Sequence, residues 1–170
     1  MLFKEKQNRP IIKIELDSFD RIIEGITYIG LLILWVIVAS RYKSLPDIIP
    51  THFDVKGVAD DYGSKSTIWL LPAISTVLVI VLALINLKPH NFNLPVKITQ
   101  ENAERQYRLA TKMIRFLKLS MLIVFGTIAM FTINVSETKD GGTGYWMLFL
   151  ILGATFVPLG IYMILAFRKS

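Results

Sequence analysis

The side chains that could carry out chemistry are concentrated between residues 45 and 65. His52, Asp54, Asp60 and Asp61 lie there among prolines and glycines. Imidazole and carboxylate oxygen form a workable ligand set for a divalent metal, and a histidine can also act as a general base or respond to pH. These side chains converge only if the segment folds back on itself.

Three functional interpretations of this segment are open. A metal site would rest on His52, Asp54 and Asp60, without a second histidine or a cysteine at ligand spacing. A catalytic role for His52 would lack a nucleophile motif such as Gly-x-Ser-x-Gly. A surface that binds a peptide, lipid or protein needs neither, and we expect this non-catalytic role, without a cofactor. The candidate binding residues are Pro50, His52, Phe53, Asp54, Gly57, Asp60 and Lys65.

Long apolar blocks surround this segment. Of the 170 residues, 53% are hydrophobic and 19% are charged, which is unusually apolar for a soluble domain. A bilayer core of about 30 Å needs roughly 20 mostly apolar helical residues. The blocks lack the alternation of a β-barrel. We therefore predict four transmembrane helices, at about residues 21–40, 66–87, 116–136 and 145–167.

Two of the predicted spans reach full length only by including a charged residue. These residues are Glu24 in the first span and Lys118 in the third. A charge near a helix end is tolerated because a long side chain can reach the headgroups. The central thirds of the spans carry no charge, which disfavours an ion or proton pathway.

The positive charges predict an orientation. Fourteen of the 19 Lys and Arg lie in the N-terminal segment, at the C-terminus, or between residues 88 and 118. The positive-inside rule then places both termini and loop 88–115 in the cytoplasm, and loop 41–65 outside. The net charge of +6 fits this topology and attraction to anionic lipid better than nucleic-acid binding.

The cytoplasmic side is predicted to carry local structure. Residues 12–17 alternate apolar and polar side chains, and residues 96–98 form a second possible strand, so the two could pair as a short ribbon. Thr99 is a fair N-cap for a helix that continues into the third span. Its basic residues are expected to face lipid headgroups or a partner, or to be ordinary flanking charges: Arg105, Arg108, Lys112 and Arg115.

Two patterns carry a family resemblance. The first is Leu45-Pro46-x-x-Ile49-Pro50-Thr51-His52-Phe53-x-x-x-Gly57-x-x-Asp60-x-x-Gly63-Ser64-Lys65, and the second is Ile98-Thr99-x-Glu101-Asn102-Ala103-x-Arg105-Gln106-Tyr107. They resemble the bacterial membrane family called domain of unknown function 1648, whose module also forms the N-terminal part of SdpI-type immunity proteins. The Asn-x-x-x-Gly-x-Arg pattern of the second SdpI module is absent from spans three and four.

The resemblance implies a bacterial inner-membrane protein linked to toxin immunity or signalling. We thus predict an all-α integral membrane protein, a single domain over residues 1–170 with both termini inside. Its partners would be the bilayer and a peptide or protein at the outer face, with the oligomeric state left open. The alternative is a metal-dependent membrane enzyme or transporter component that uses His52 and the loop aspartates.

Overall fold

Four helices and one antiparallel ribbon make up the regular structure of the residues that the computed structural model describes, 9–138 and 145–168. In chain order the elements are α1 (Ser18–Arg41), β1 (Ile48–Phe53), β2 (Ala59–Ser64), α2 (Leu70–Asn86), α3 (Ala103–Thr138) and α4 (Trp146–Phe167). One 3₁₀ turn, Lys65–Trp69, leads into α2, and another, Pro89–Asn91, follows it.

Four segments are long enough and apolar enough to cross a membrane: α1, α2 together with the 3₁₀ turn before it, α3 and α4. Many of their large apolar side chains point away from the protein, among them Leu32, Leu84 and Ile164. Helices that are apolar on their outer faces fit a lipid environment, because water would not favour such a surface. The prediction of a four-span helical fold is confirmed.

Reciprocal capping fixes the start of α1. The Asp17 carboxylate accepts a hydrogen bond from the Asp20 N–H at 2.8 Å, and the Asp20 carboxylate accepts one from the Asp17 N–H at 3.2 Å. These bonds satisfy two backbone donors at the helix N-terminus, which have no partner inside the helix. Asp17 is therefore the N-cap of α1.

A similar exchange precedes α3. The Thr99 hydroxyl accepts from the Asn102 N–H at 3.3 Å, and the Asn102 side chain accepts from the Thr99 N–H at 2.9 Å. Helical hydrogen bonding starts here, because the Ala103 N–H donates to the Thr99 carbonyl at 3.1 Å. The chain turns at residues 100–102, so regular helix begins four residues after the predicted cap.

The two-strand ribbon is present, but residues other than the predicted ones form it. Residues 12–17 and 96–98 are not strands; instead, β1 and β2 pair within the segment before α2. The N-terminal arm is held by a side chain rather than by strand pairing, because the Arg9 guanidinium donates to the Phe92 carbonyl at 2.7 Å. The alternation of apolar and polar residues over 12–17 therefore belongs to a single unpaired arm and not to a strand of a sheet.

The long α3 lies at the centre of the bundle and packs against α1, α2, α4 and β1. One apolar cluster lies at its C-terminal half and joins residues of α1, the ribbon segment, the 3₁₀ turn and α3: Leu34, Val38, Leu45, Ile49, Ile68, Leu122, Ala129 and Ile133. A second cluster joins α3 and α4 at the other end, through Ala110, Tyr162 and Ala166. The ribbon is thus part of the hydrophobic core rather than a free loop.

Candidate functional site

The turn of the ribbon is shaped by Asp54 and Gly57. The Asp54 carboxylate accepts hydrogen bonds from the N–H groups of Lys56 and Val58, both at 2.8 Å. The Asp54 N–H donates to the Val58 carbonyl at 2.9 Å. Gly57 has φ 71°, a left-handed conformation that side chains disfavour. Two of the predicted binding residues therefore build the turn.

The strands pair irregularly around His52. Pro50 lies opposite Tyr62, His52 opposite Asp61, and Phe53 opposite Ala59, with shifts of register on both sides of His52. Such bulges bend a strand and redirect its side chains. Here they bring the His52 ring next to Asp60 rather than next to Asp61, its backbone partner.

The ribbon is seated on the bundle by apolar side chains. Leu45 and Ile49 are buried, Ile49 to 1% exposure, and Pro50 is buried beside them. The ring centres of Phe53 and Phe131, on α3, are 4.9 Å apart. The Leu-Pro-x-x-Ile-Pro-x-x-Phe spacing is thus a packing pattern that fixes the ribbon to α3.

Lys65 closes the base of the ribbon. Its ammonium lies 3.0 Å from the Asp47 carboxylate and donates to the Leu45 carbonyl at 3.4 Å. It also lies 5.7 Å from the centre of the Tyr42 ring, within the range of a cation–π contact. The contacts of Lys65 are therefore intramolecular, and they join the two ends of segment 45–65.

His52 and Asp60 form an exposed pair. The His52 Nδ1 lies 2.5 Å from an Asp60 carboxylate oxygen, and the side chains are 66% and 48% exposed. Asp61 instead accepts from the Tyr62 N–H, and Asp54 is engaged in the turn. Among the described residues there is no group of three His, Cys, Asp or Glu side chains that could hold a metal. The structure thus brings together one pair of the proposed metal ligands.

A second polar cluster, which the sequence interpretation missed, joins α1 to α3. We call it the charge ladder, and its members are Asp17, Asp20, Glu24, Lys112, Arg115 and Lys118. Its acids are spaced three and four residues apart and its bases three apart, so each set lies on one helix face. The matched spacing of these acids and bases was the feature of the sequence that indicates such a cluster.

The outer part of the charge ladder is formed by Lys112. Its ammonium lies 2.5 Å from the Asp17 carboxylate and 3.5 Å from that of Asp20. The hydrogen bond from Lys112, followed by the one from the Asp20 backbone, lowers the pKa of Asp17 to about 2. Asp17 therefore stays ionised at any ordinary pH.

The inner part of the charge ladder is buried. The Lys118 ammonium lies 2.6 Å from one oxygen of Glu24 and 2.7 Å from the other, and Lys118 is only 1% exposed. Arg115, 5% exposed, lies 3.4 Å from Asp20 and 3.5 Å from Glu24. Glu24 and Lys118 thus neutralise each other across two helices instead of each reaching separately for the headgroups.

The four basic residues expected to face lipid or a partner all contact groups of the chain itself. Arg105 donates to the Leu165 and Arg168 carbonyls at 2.7 and 3.0 Å, which caps the end of α4. Arg108 pairs with Glu104 one turn earlier, at 3.1 Å. Lys112 and Arg115 point to α1, as described above. Only Arg108 pairs within its own helix, on the surface.

Part of the chain, including the ribbon, is similar to a described family. Residues 29–76 match the domain of unknown function DUF1648. This DUF1648 segment runs from the middle of α1 through the ribbon to the start of α2. The predicted resemblance to that family is confirmed over residues 29–76, which include the side chains that seat and close the ribbon. The second pattern, at residues 98–107, lies outside the match.

One relative is also similar over most of its length. An uncharacterized protein of Archaeoglobus fulgidus is 26% identical over 148 residues, which is 79% of this chain and 80% of that protein. No solved structure matches the chain. The similarity beyond the DUF1648 segment therefore extends across most of the four-helix architecture.

Proposed function

We propose that this chain is a multi-pass protein of the bacterial cytoplasmic membrane, with both termini inside and the ribbon outside. In this proposal it acts without catalysis, as a binding module of the immunity or signalling type. Its ribbon recognises an extended peptide segment of a partner at the outer face. The orientation is supported by the distribution of Lys and Arg along the chain.

The observation that carries the proposal is a groove beside the ribbon. A cavity of about 400 Å³ lies between the ribbon and the end of α3, lined in part by Ile48, Pro50, Val58, Tyr62 and Val135. Ile48, Val58 and Tyr62 are exposed, although they belong to the segment assigned to the aqueous side. Exposed apolar groups around a concave surface are typical of a recognition site.

The ribbon also offers backbone groups to a peptide. Among the described residues, β2 pairs with β1 and with no third strand, which leaves its outer edge unpaired. An extended peptide can add to such an edge by backbone hydrogen bonds, while neighbouring pockets accept its side chains. Because the ribbon is seated on the core, this edge is already ordered before a partner arrives.

One contact favours the alternative of a metal-dependent enzyme or transporter component. The His52–Asp60 pair presents an imidazole and a carboxylate on the exposed surface of the ribbon, and both are metal-binding groups. A metal would need further ligands from the partner or from water. Elemental analysis of the purified protein and of His52→Ala distinguishes the two functions.

The binding proposal is tested by crosslinking in intact cells. A photoreactive amino acid placed at Tyr62 is expected to give a discrete adduct with a peptide or protein, and Val58→Asp in the groove is expected to abolish it. Tyr145 is the matched control, because it is a similarly exposed tyrosine near the same ends of α3 and α4. Equal labelling from both positions would contradict the proposal, as would a stoichiometric metal that is lost in His52→Ala.

A further inference from the structure

The basic side chains that are available to lipid headgroups are not those of α3. The four basic residues of α3 that the sequence assigns to headgroups or a partner contact the chain itself. Three other cations at the same end of the bundle, Lys13, Arg21 and Lys88, are exposed. None of the three pairs with an acid or forms a side-chain hydrogen bond within the part of the chain that the structure describes. Their charges are therefore available to an anion.

These three cations lie around a cavity at the end of the bundle opposite the ribbon. The cavity has a volume of about 520 Å³ and lies between the N-terminal arm, α1, the end of α2 and α3. Lys13 lines it, and Lys88 directly follows Leu87, which also lines it. Arg21 lies on the same face of α1 as Tyr28, another lining residue, because seven residues make about two helical turns. The opening of the cavity is thus bordered by cations from three elements.

The acids near this cavity do not neutralise those cations. Glu24 lines the cavity, but the Lys118 ammonium binds both of its carboxylate oxygens, at 2.7 and 2.6 Å. The other two acids of the charge ladder are engaged by its own bases. Glu15 is exposed on the arm and adds one negative charge. Three available cations and this one acid leave the opening of the cavity with a net positive charge.

Exposed apolar side chains lie beside the cations. Leu16 and Leu87 line the cavity and are 41% and 73% exposed. Because α1 begins at Ser18 and α2 ends at Asn86, both leucines lie at the ends of spans, where the hydrocarbon core meets the headgroups. Such side chains suit acyl chains better than they suit water, and Lys and Arg bind phosphate by charge-assisted hydrogen bonds. A phospholipid with a net negative charge matches both kinds of group.

We propose that this cavity binds an anionic phospholipid of the phosphatidylglycerol type. Lys13, Arg21 and Lys88 hold the phosphate, and Leu16 and Leu87 contact the acyl chains. A zwitterionic lipid carries the same phosphate, but the cations of the site repel its ammonium group. The site exists whichever side of the membrane this end of the bundle faces, so the proposal is independent of the function proposed for the ribbon.

The test is native mass spectrometry of the full-length protein, incubated in detergent with equal amounts of phosphatidylglycerol, phosphatidylethanolamine and phosphatidylcholine. We expect phosphatidylglycerol to be retained about tenfold over each of the other two. Lys13→Gln and Lys88→Gln are each expected to reduce its retention about fivefold, the effect of one Lys or Arg near an anionic lipid surface. Adding Arg21→Gln to both should remove the preference. Lys97→Gln is the matched control, because this lysine is exposed but does not line the cavity, and retention should not change.

The outcomes separate a defined site from general attraction between charges. The substituted side chains are exposed and lie outside the charge ladder, so thermal unfolding of the variants should match that of the wild type. Equal retention of the three lipids would overturn the proposal. So would a loss in Lys97→Gln as large as that in Lys13→Gln, because the attraction would then follow net charge alone. Inorganic phosphate is added in a separate sample, and displacement of the lipid by an equal concentration of phosphate would refute a lipid as the occupant.

Discussion

Two glycines of the ribbon are required for different reasons. Gly57 adopts a left-handed backbone conformation, φ 71°, which any side chain would strain. Gly63 instead leaves space, because a Cβ added there would lie 2.9 Å from the Thr51 Cγ2. Gly57 is required by its own backbone conformation, whereas Gly63 is required by the neighbouring Thr51 side chain, which can be changed.

This difference predicts which glycine can be rescued. Gly63→Ala is expected to lower the free energy of unfolding by about 1 kcal/mol through overpacking. Adding Thr51→Ser removes the clashing methyl group and should restore most of that loss. Gly57→Ala is expected to cost about 1 to 2 kcal/mol, and Thr51→Ser should not relieve it. Thermal unfolding of the four variants in detergent measures both effects, and equal rescue of the two glycines would contradict the packing explanation.

At individual positions, the sequence shows which residues are apolar but not which of them are buried. The segment between α1 and the 3₁₀ turn is non-helical around its prolines, since Pro46 and Pro50 disfavour helix. That Leu45 and Ile49 are buried while Ile48 is exposed could not be read from residue type, because all three are apolar. Only the contact with α3 decides which of them faces the core.

Among the elements, the contact between α1 and α3 depends on paired charges. Lys118→Ala leaves Glu24 mostly buried without its partner, and we expect a loss of roughly 3 to 5 kcal/mol in the free energy of unfolding. The double variant Glu24→Leu, Lys118→Met removes both charges and should be close to wild type. Denaturation in detergent measures these changes.

The exposed pair of Arg108 and Glu104 is the control for that experiment. Arg108→Ala is expected to cost less than about 1 kcal/mol, because a solvated pair within one helix contributes little. If the double variant were as unstable as Lys118→Ala, the loss would arise from packing rather than from an uncompensated charge.

The seating of the ribbon gives a prediction from two adjacent isoleucines. Ile49→Ala removes a side chain buried against α3 and is expected to cost about 2 to 5 kcal/mol. Ile48→Ala, at a position 60% exposed, should change stability by less than about 0.5 kcal/mol. Proteolysis of the segment between α1 and α2, followed by mass spectrometry, should detect release of the ribbon in the first variant alone. Equal protection of both variants would mean that Ile49 does not hold the ribbon.

Element types were largely predictable, whereas their pairing was not. The long apolar blocks predicted the helices because a helix satisfies every backbone group within lipid. The position of the ribbon was wrong, since alternation at residues 12–17 resembles a strand but has no partner nearby. The Asp54–Gly57 turn, which makes the true ribbon possible, is a signal of backbone conformation rather than of hydrophobic pattern.

For the whole molecule, the orientation in the membrane stays a prediction. A reporter enzyme that is active only outside the cytoplasm should be active when fused after Arg41 and inactive when fused after Arg105. The reason is the excess of Lys and Arg at the termini and between residues 88 and 118. External activity at the second position would reverse the proposed topology and with it the placement of the ribbon.

The overall fold could be predicted from the sequence more fully than the candidate sites could. Composition and block length suffice for a multi-span fold, because the bilayer imposes one length scale on every span. The charge ladder depends on how α1 and α3 meet. The spacing of the acids and of the bases shows that each set lies on one helix face, but Glu24 and Lys118 are 94 residues apart in the chain, and spacing within each helix does not show that the two faces meet.

The uninterrupted α3 runs the full length of the bundle. Its 36 residues span about 54 Å, and no proline interrupts them. Phe131 touches the ribbon toward one end, and Arg115, 16 residues earlier, lies in the charge ladder. A tilt of about 5° shifts one end by about 5 Å relative to the other at this length. Between Arg115 and Phe131 the same tilt amounts to about 2 Å, so a movement of α3 that displaces the ribbon also displaces the charge ladder.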